Sequence, residues 1–184
     1  MHLVQNQSTP PQQLPLYRYF ASTVALITSQ SEGQQRNVMA CEWTMNVCRH
    51  PLKIMTLINK DDLTHELIMA SGEFGVNLCS EEQSSLSHFA GSNTGREEDK
   101  LHNTIFNGLL YTATRIQAPM IRGCVLNAEC VVEQAIDMGK HTAFIGRALA
   151  ARLNPNLRPL LYHQGCYLRC GEVIPKPEHS AQEV

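Results

Sequence analysis

The sequence predicts a mainly β protein, a closed or nearly closed antiparallel barrel carrying two short helices. Six or seven segments read as strands and only two as helices, and the strands do not alternate with helices as a doubly wound sheet requires. The last two long strands, Cys124 to Ile136 and His141 to about Ala151, are joined by the short turn DMGK. The first of them alternates well, with Leu126, Ala128, Cys130 and Val132 on one side.

Taken in order, residues 1–15 are rich in Gln, Ser and Pro and read as a loose arm. The aromatic segment LYRYFA, Leu16 to Ala21, reads as a helix turn leading into the core. TVALIT, Thr23 to Thr28, is a buried strand by composition, and Arg36 to Ala40 returns as its partner after a turn containing Gly33. LKIMTLI, Leu52 to Ile58, is a further strand. Asp61 or Asp62 is placed to cap the helix that follows, with Leu63, Leu67 and Ile68 on its apolar face and Gly72 at its end. Phe74, Val76 and Leu78 alternate with Gly75 and Asn77, as in a half-buried strand. Ser80 and Gln83 have capping-box spacing for a second helix reaching Gly91, with Leu86 and Phe89 inward. GSNTGREEDK, Gly91 to Lys100, reads as a mobile charged loop, and an irregular segment runs on to Gly123. Pro159 to Arg169 is a final short strand or hairpin. The barrel domain therefore spans 16–172, followed by a polar tail at 173–184.

Composition narrows the function classes. At 184 residues and 43% hydrophobic, the chain is sized for one domain with a real core. A net charge of −2 provides no basic face for nucleic acid. No run approaches the length of a membrane span. The N-terminus lacks the charged and apolar regions of a signal peptide, which points to the cytoplasm. The seven cysteines form no CxxC pair and no zinc-site spacing, so they read as small buried hydrophobes and no metal site is expected. GxGxxG, GxxxxGK[ST] and GxSxG are all absent, and His65-Glu66 fails to complete HExxH because position 69 is Met.

The chemistry concentrates between Arg36 and Ser71. A polar corner opening a helix carries Lys60, Asp61, Asp62, Thr64 and His65. A cation, a hydroxyl and the free amides of a helix start suit an anionic group such as a phosphate. The preceding loop, Met39 to Asn46, offers exposed backbone and the single Trp. Together they suit a flat, phosphorylated cofactor.

Six segments, in order, resemble the flavin reductase-like family, proteins with an FMN-binding split barrel. TVALIT with NVMACEW resembles the family's opening hairpin and flavin loop, VCRHPLKIMTLINKDDLTHELI its strand and phosphate corner, and SGEFGVNL its "SGEFVVN". SNTGREEDK resembles "SGRDVDK", GKHTAFIGRALAA resembles "GDHTLFIGEV", and PLLYHQGCYLR resembles "PLLYYRGRYR". The set covers about residues 20 to 170.

The resemblance implies an antiparallel Greek-key split barrel that binds FMN, or alternatively FAD, in a homodimer. It implies reduction of that flavin by NADH or NADPH, with a monooxygenase or another acceptor taking the electrons. A carrier of the flavoredoxin type, lacking nicotinamide activity, is the alternative, and a barrel that has lost its cofactor is a third. Lys60, Thr64 and His65 would then hold the phosphate. Met39, Ala40, Cys41, Glu42, Trp43 and Thr44 would follow the ring edge, where amides tune the flavin. Asn46 and Cys48 stand where relatives have small hydroxyl residues. Arg96 and Lys100 would approach the phosphate or the nicotinamide. His141, the candidate catalytic residue, would face the cofactor; its Gly139-Lys140-His141 context lacks the Asp of the family's Gly-Asp-His.

Overall fold

A rolled antiparallel sheet of seven strands organises the computed structural model, which describes residues 15–177. The expected arm at 1–15 and the end of the tail, 178–184, lie almost wholly outside the described residues. The strands are β1 (Ser22–Thr23), β2 (Ala25–Gln30), β3 (Arg36–Cys41), β4 (Thr44–Cys48), β5 (Lys53–Asn59), β6 (Glu73–Leu78), β7 (Leu110–Tyr111), β8 (Met120–Ile121), β9 (Leu126–Asp137), β10 (His141–Leu153), β11 (Leu161–His163) and β12 (Cys166–Leu168). The helices are α1 (Leu63–Ser71) and α2 (Ser84–Ser92).

The large sheet runs β3-β2-β6-β9-β10-β5-β4, and its neighbours pair antiparallel throughout. Its two edge strands, β3 and β4, are consecutive in the chain and separated only by Glu42 and Trp43. The sheet must therefore roll until its edges meet. Among the described residues no β3–β4 ladder seals them; the Leu57 amide of β5 donates to the carbonyl of Trp43, in the link between the edges, at 3.1 Å and so continues the β4–β5 ladder into the link. The expected mainly β antiparallel split barrel is thus observed. Small sheets, β1-β11-β12 and β7-β8, flank it.

Alternation places side chains on both sides of β2. Ala25 and Ile27 enter the barrel interior with Ile54, Ile58, Phe74 and Phe144. Leu26 faces outward into a second core with Leu86, Leu101, Phe106, Ile121 and Leu160, beneath α2 and the C-terminal hairpin. A strand buried on both faces reads as a continuous apolar run, which is why VALIT shows no alternation.

The helices form as their signals predict. Leu63, Leu67 and Ile68 are buried, and Gly72 ends α1 in the left-handed region at φ 69°. The Ser80–Gln83 capping box is present; it opens a 3₁₀ turn at Glu81–Gln83 that leads into α2.

Four expectations are corrected. The loop expected from Met39 to Asn46 is the end of β3 and the start of β4, and only Glu42 and Trp43 link them. Strand β6 is buried on both faces rather than half-buried, because Asn77 finds partners beneath β7–β8. Its Nδ2 donates to the Leu26 carbonyl at 3.0 Å, and its Oδ1 accepts from the Ile121 amide at 2.9 Å and from Asn127 Nδ2 at 2.8 Å. The segment before Gly123 is not irregular throughout, since it contains β7, β8 and two short 3₁₀ turns at Lys100–His102 and Thr104–Phe106. The Leu16–Tyr19 turn does not enter the core: Leu16 and the following Phe20 are 84% and 76% exposed. Of the cysteines, Cys41, Cys79, Cys124 and Cys130 are buried as expected, whereas Cys166 is exposed; all are free thiols.

Candidate functional site

The unsealed edge of the barrel leaves a groove along β3. One end, of about 340 Å³, lies between β3, the start of α1 and the loop after α2. The other, of about 410 Å³, lies beside the β3–β4 link, where β5 ends and β10 begins. Met39, Ala40 and Asp62 line both.

The first end is built for an anion. Asn59 Oδ1 accepts from the Asp61 amide at 3.1 Å and sets the corner. The Asp62 carbonyl takes the amides of His65 and Glu66 at 3.0 and 3.4 Å. The amides of Leu63 and Thr64 lead the helix and remain for an outside acceptor. Thr64 is buried, and its oxygen accepts from Asn37 Nδ2 at 2.9 Å, so its hydroxyl proton is free to point into the groove. Asn37 is 3% exposed and its Oδ1 has no partner. Gly95 closes over it: a Cβ there would come within 2.2 Å of Asn37 Oδ1, so no larger residue fits.

Two cations reach this end. Arg96 donates to Glu66 at 2.6 and 3.3 Å and to the Asp61 carbonyl at 3.1 Å, which fixes the guanidinium at the groove wall. Lys100 is 2% exposed and donates to the carbonyls of Ala90 and Asn93 at 2.9 and 3.0 Å. Burial pulls its ammonium down to about 8, against the pull of Asp62 and Glu98. The charged loop expected to be mobile is therefore anchored at its end, because Lys100 satisfies carbonyls at the C-terminus of α2.

The second end is aromatic. The Trp43 and His141 rings lie 5.2 Å apart, tilted by 57°, and Tyr17 meets Trp43 edge-on at 6.0 Å. The Met138 amide and His141 carbonyl close the turn at 2.9 Å, which fixes where His141 begins β10. Beneath the floor, the Thr44 and Thr56 hydroxyls lie 3.0 Å apart, Thr56 donates to Cys41 Sγ at 3.4 Å, and Cys41 donates to the Leu57 carbonyl at 3.4 Å. Burial raises the Cys41 thiol, which stays protonated and unreactive. Burial also raises the Glu42 carboxyl, with Arg18 opposing.

Of the residues the sequence nominated, Met39, Ala40, Cys41, Glu42, Trp43, Thr64, Arg96, Lys100 and His141 line the groove. Others do not. Lys60 turns to Asp137, with Nζ 2.8 Å from its carboxylate, because β10 and β5 pair and bring the β9–β10 turn beside it. His65 Nε2 lies 2.8 Å from the Thr142 hydroxyl, with its ring against Phe144, on the other face of α1. Thr44 supports Cys41 from below, while Asn46 and Cys48 lie along the edge strand β4. Asp62, by contrast, lines both ends of the groove, and occupies the cap position without making a cap hydrogen bond.

Asn37 and Tyr17 were not foreseen. A lone Asn within the strand RNVMAC was the available signal, since a buried polar residue needs a partner. Nothing in the sequence placed Tyr17 over Trp43.

Free helix amides, the Thr64 hydroxyl and two cations at one end, with aromatic rings at the other, fit a flat ring carrying a phosphate. A split antiparallel barrel with such a groove defines a flavin-type cofactor binder. The family model for the flavin reductase like domain matches residues 16–171, and the chain belongs to the flavin reductase-like family. It is 30% identical over 155 residues to the reductase component of a Rhizobium FADH(2)-dependent resorcinol hydroxylase, covering 82% of this chain and 81% of the relative. Among solved structures, an FMN-binding protein from Thermus thermophilus superposes with TM-score 0.78 at 24% identity, covering 96% of this chain and 100% of that one. A Streptomyces globisporus NADH:FAD oxidoreductase with NAD and FAD fragments gives 0.76 at 20%, covering 85% and 89%.

Proposed function

We propose that this protein is an NAD(P)H-dependent flavin reductase. The observation that carries the reading is the continuous groove along β3, with its anion end at α1 and its aromatic end at Trp43 and His141, in a member of the flavin reductase-like family. A flavin bound there supplies the redox chemistry, taking a hydride from reduced nicotinamide and passing electrons onward.

The chain's own contribution is to bind, orient and shield. Thr64, the α1 amides, Arg96 and Lys100 hold the phosphate. The β3 backbone from Met39 to Cys41 lies along the ring, and Tyr17 with Trp43 covers it from water. Hydride transfer requires the reacting atoms to be held about 3–3.5 Å apart, which is a demand on positioning more than on acid or base. His141 orients the nicotinamide from the ring end. Electrons pass to an oxygenase component, by analogy with the resorcinol hydroxylase relative. We place the protein in the cytoplasm, where its free thiols persist. Among the described residues, no helix is long and apolar enough to cross a membrane.

The test is anaerobic addition of NADH, then NADPH, to protein with FMN or FAD, following nicotinamide absorbance. Turnover with either nucleotide supports the reading; none with both flavins sinks it. Lys140 in place of an acidic residue and Glu42 beside the ring end favour one alternative, a flavin-binding electron carrier. That carrier would bleach only with dithionite or a partner protein.

A further inference from the structure

We propose that Asp62 is a charge-selectivity residue, which sets the groove against a flavin ending in a doubly charged phosphomonoester and in favour of one whose phosphate carries a single charge, so that FAD binds more tightly than FMN. The proposal rests on the groove being a flavin site.

Asp62 sits at the cap of a nine-residue helix, where an Asp side chain ordinarily folds back onto the helix amides. Here it makes no such bond and instead lines both ends of the groove. Burial raises its carboxyl above the ordinary range, with Lys100 and His141 opposing, as for a carboxylate held off water in a shared cavity.

The local charge balance is not basic. Asp61 joins Asp62 in the groove wall, and Glu66 occupies Arg96. Lys60, the cation nearest in sequence, is paired with Asp137 outside it. Arg96 and Lys100 thus face three carboxylates, while the buried Asn37 Oδ1 adds an acceptor in need of a donor. The 5′-phosphate of FMN carries about −1.5 to −2 near neutral pH. Each phosphate of the FAD diphosphate carries a single charge, so the repulsion at Asp62 is smaller.

Space is provided for the rest of FAD. A third chamber, of about 410 Å³, shares Ala40, Gly91 and Ser92 with the anion end. It lies between α2 and the C-terminal hairpin and is walled by Glu42 and by Tyr162 and Tyr167, whose rings are 5.4 Å apart, with the Tyr167 hydroxyl 3.0 Å from that of the buried Ser87. Two aromatic rings suit the flat base of an adenosine.

The experiment is a set of equilibrium titrations with FMN, FAD and riboflavin, read by flavin fluorescence, on the wild type, Asp62→Asn and Asp61→Asn. Riboflavin keeps the ring and ribityl chain without the phosphate. The expected result is FAD about tenfold tighter than FMN in the wild type, with Asp62→Asn tightening FMN about tenfold. Riboflavin should stay within about twofold, and the more exposed Asp61→Asn should move FMN less. Wild type that binds FMN as tightly as FAD overturns the proposal without needing any variant. So does an Asp62→Asn change that shifts FMN and riboflavin alike, since Asp62 would then touch the ribityl chain or the ring. Failure of all three flavins to bind the wild type overturns the flavin reading itself, and this proposal with it.

Discussion

Lys100 shows most clearly how one residue's surroundings set the behaviour of the groove. It was legible in the sequence as a cation in a charged loop, but its burial was not, because the carbonyls it satisfies belong to the end of α2 and to Asn93, which the chain brings together only on folding. With burial holding the free ammonium at about 8, a bound phosphate favours the protonated form and raises that value in the complex. Affinity for a phosphorylated flavin should therefore be flat between about pH 7 and 8. It should fall above that, by up to about tenfold per pH unit, until the value of the complex is reached. Riboflavin should show no such fall, and Lys100→Met should abolish it; titrations across pH 7 to 9.5 decide. Thr64 was also legible, as a hydroxyl at a helix start, while its partner Asn37 was not. Thr64→Val keeps the shape but strips the acceptor from Asn37 Nδ2. A buried donor left unsatisfied costs about 1–3 kcal/mol. Urea unfolding should show that loss, and FMN binding should weaken because the free hydroxyl proton goes with it.

At the level of elements, local signals served well where the element satisfies itself. The capping box at Ser80 and Gln83, the apolar face of α1 and the left-handed Gly72 are short-range patterns, and each is present as read. Strand β6 was misread because its alternation is real, yet its polar member Asn77 is satisfied from strands and loops far along the chain. Lys60 was misplaced for a related reason. A basic residue beside a phosphate-like corner has the right chemistry, but the β5–β10 pairing delivers Asp137 to it first. Strand β10 carries a further constraint that sequence does not reveal. At Gly146, beside a register shift against β9, an added Cβ would lie 2.5 Å from the Phe74 ring and 2.9 Å from Cys130 Cβ. Both neighbours are fully buried, so neither can move aside. Gly146→Ala should cost about 1–3 kcal/mol as overpacking, seen as a lowered melting temperature with flavin affinity per folded molecule unchanged.

For the whole molecule, the decisive feature is that the sheet's edge strands are neighbours in sequence, which forces the roll and leaves the groove at the seam. The antiparallel class could be read from the chain; the seam could not, because β4, one of its two edges, reads in sequence as part of the loop from Met39 to Asn46. Among the described residues the same topology leaves β4 with one unpaired edge, since it pairs there with β5 alone. An uncovered strand edge invites pairing with another chain. Along it Met45 is 56% exposed and Val47 45%, and the apolar Leu16 to Phe20 segment is exposed as well, reaching the groove through Tyr17. Exposed apolar side chains beside an open edge are the composition of a subunit contact. We therefore expect a homodimer formed over β4, as the family resemblance implies. Sedimentation equilibrium should give twice the 20.6 kDa chain mass for the wild type. Met45→Glu with Val47→Glu should give the monomer, while leaving far-UV circular dichroism unchanged, because both side chains face outward. A wild type that sediments as a monomer across micromolar concentrations would remove the dimer. Tyr17 would then cover the ring end of the groove with no help from a second subunit.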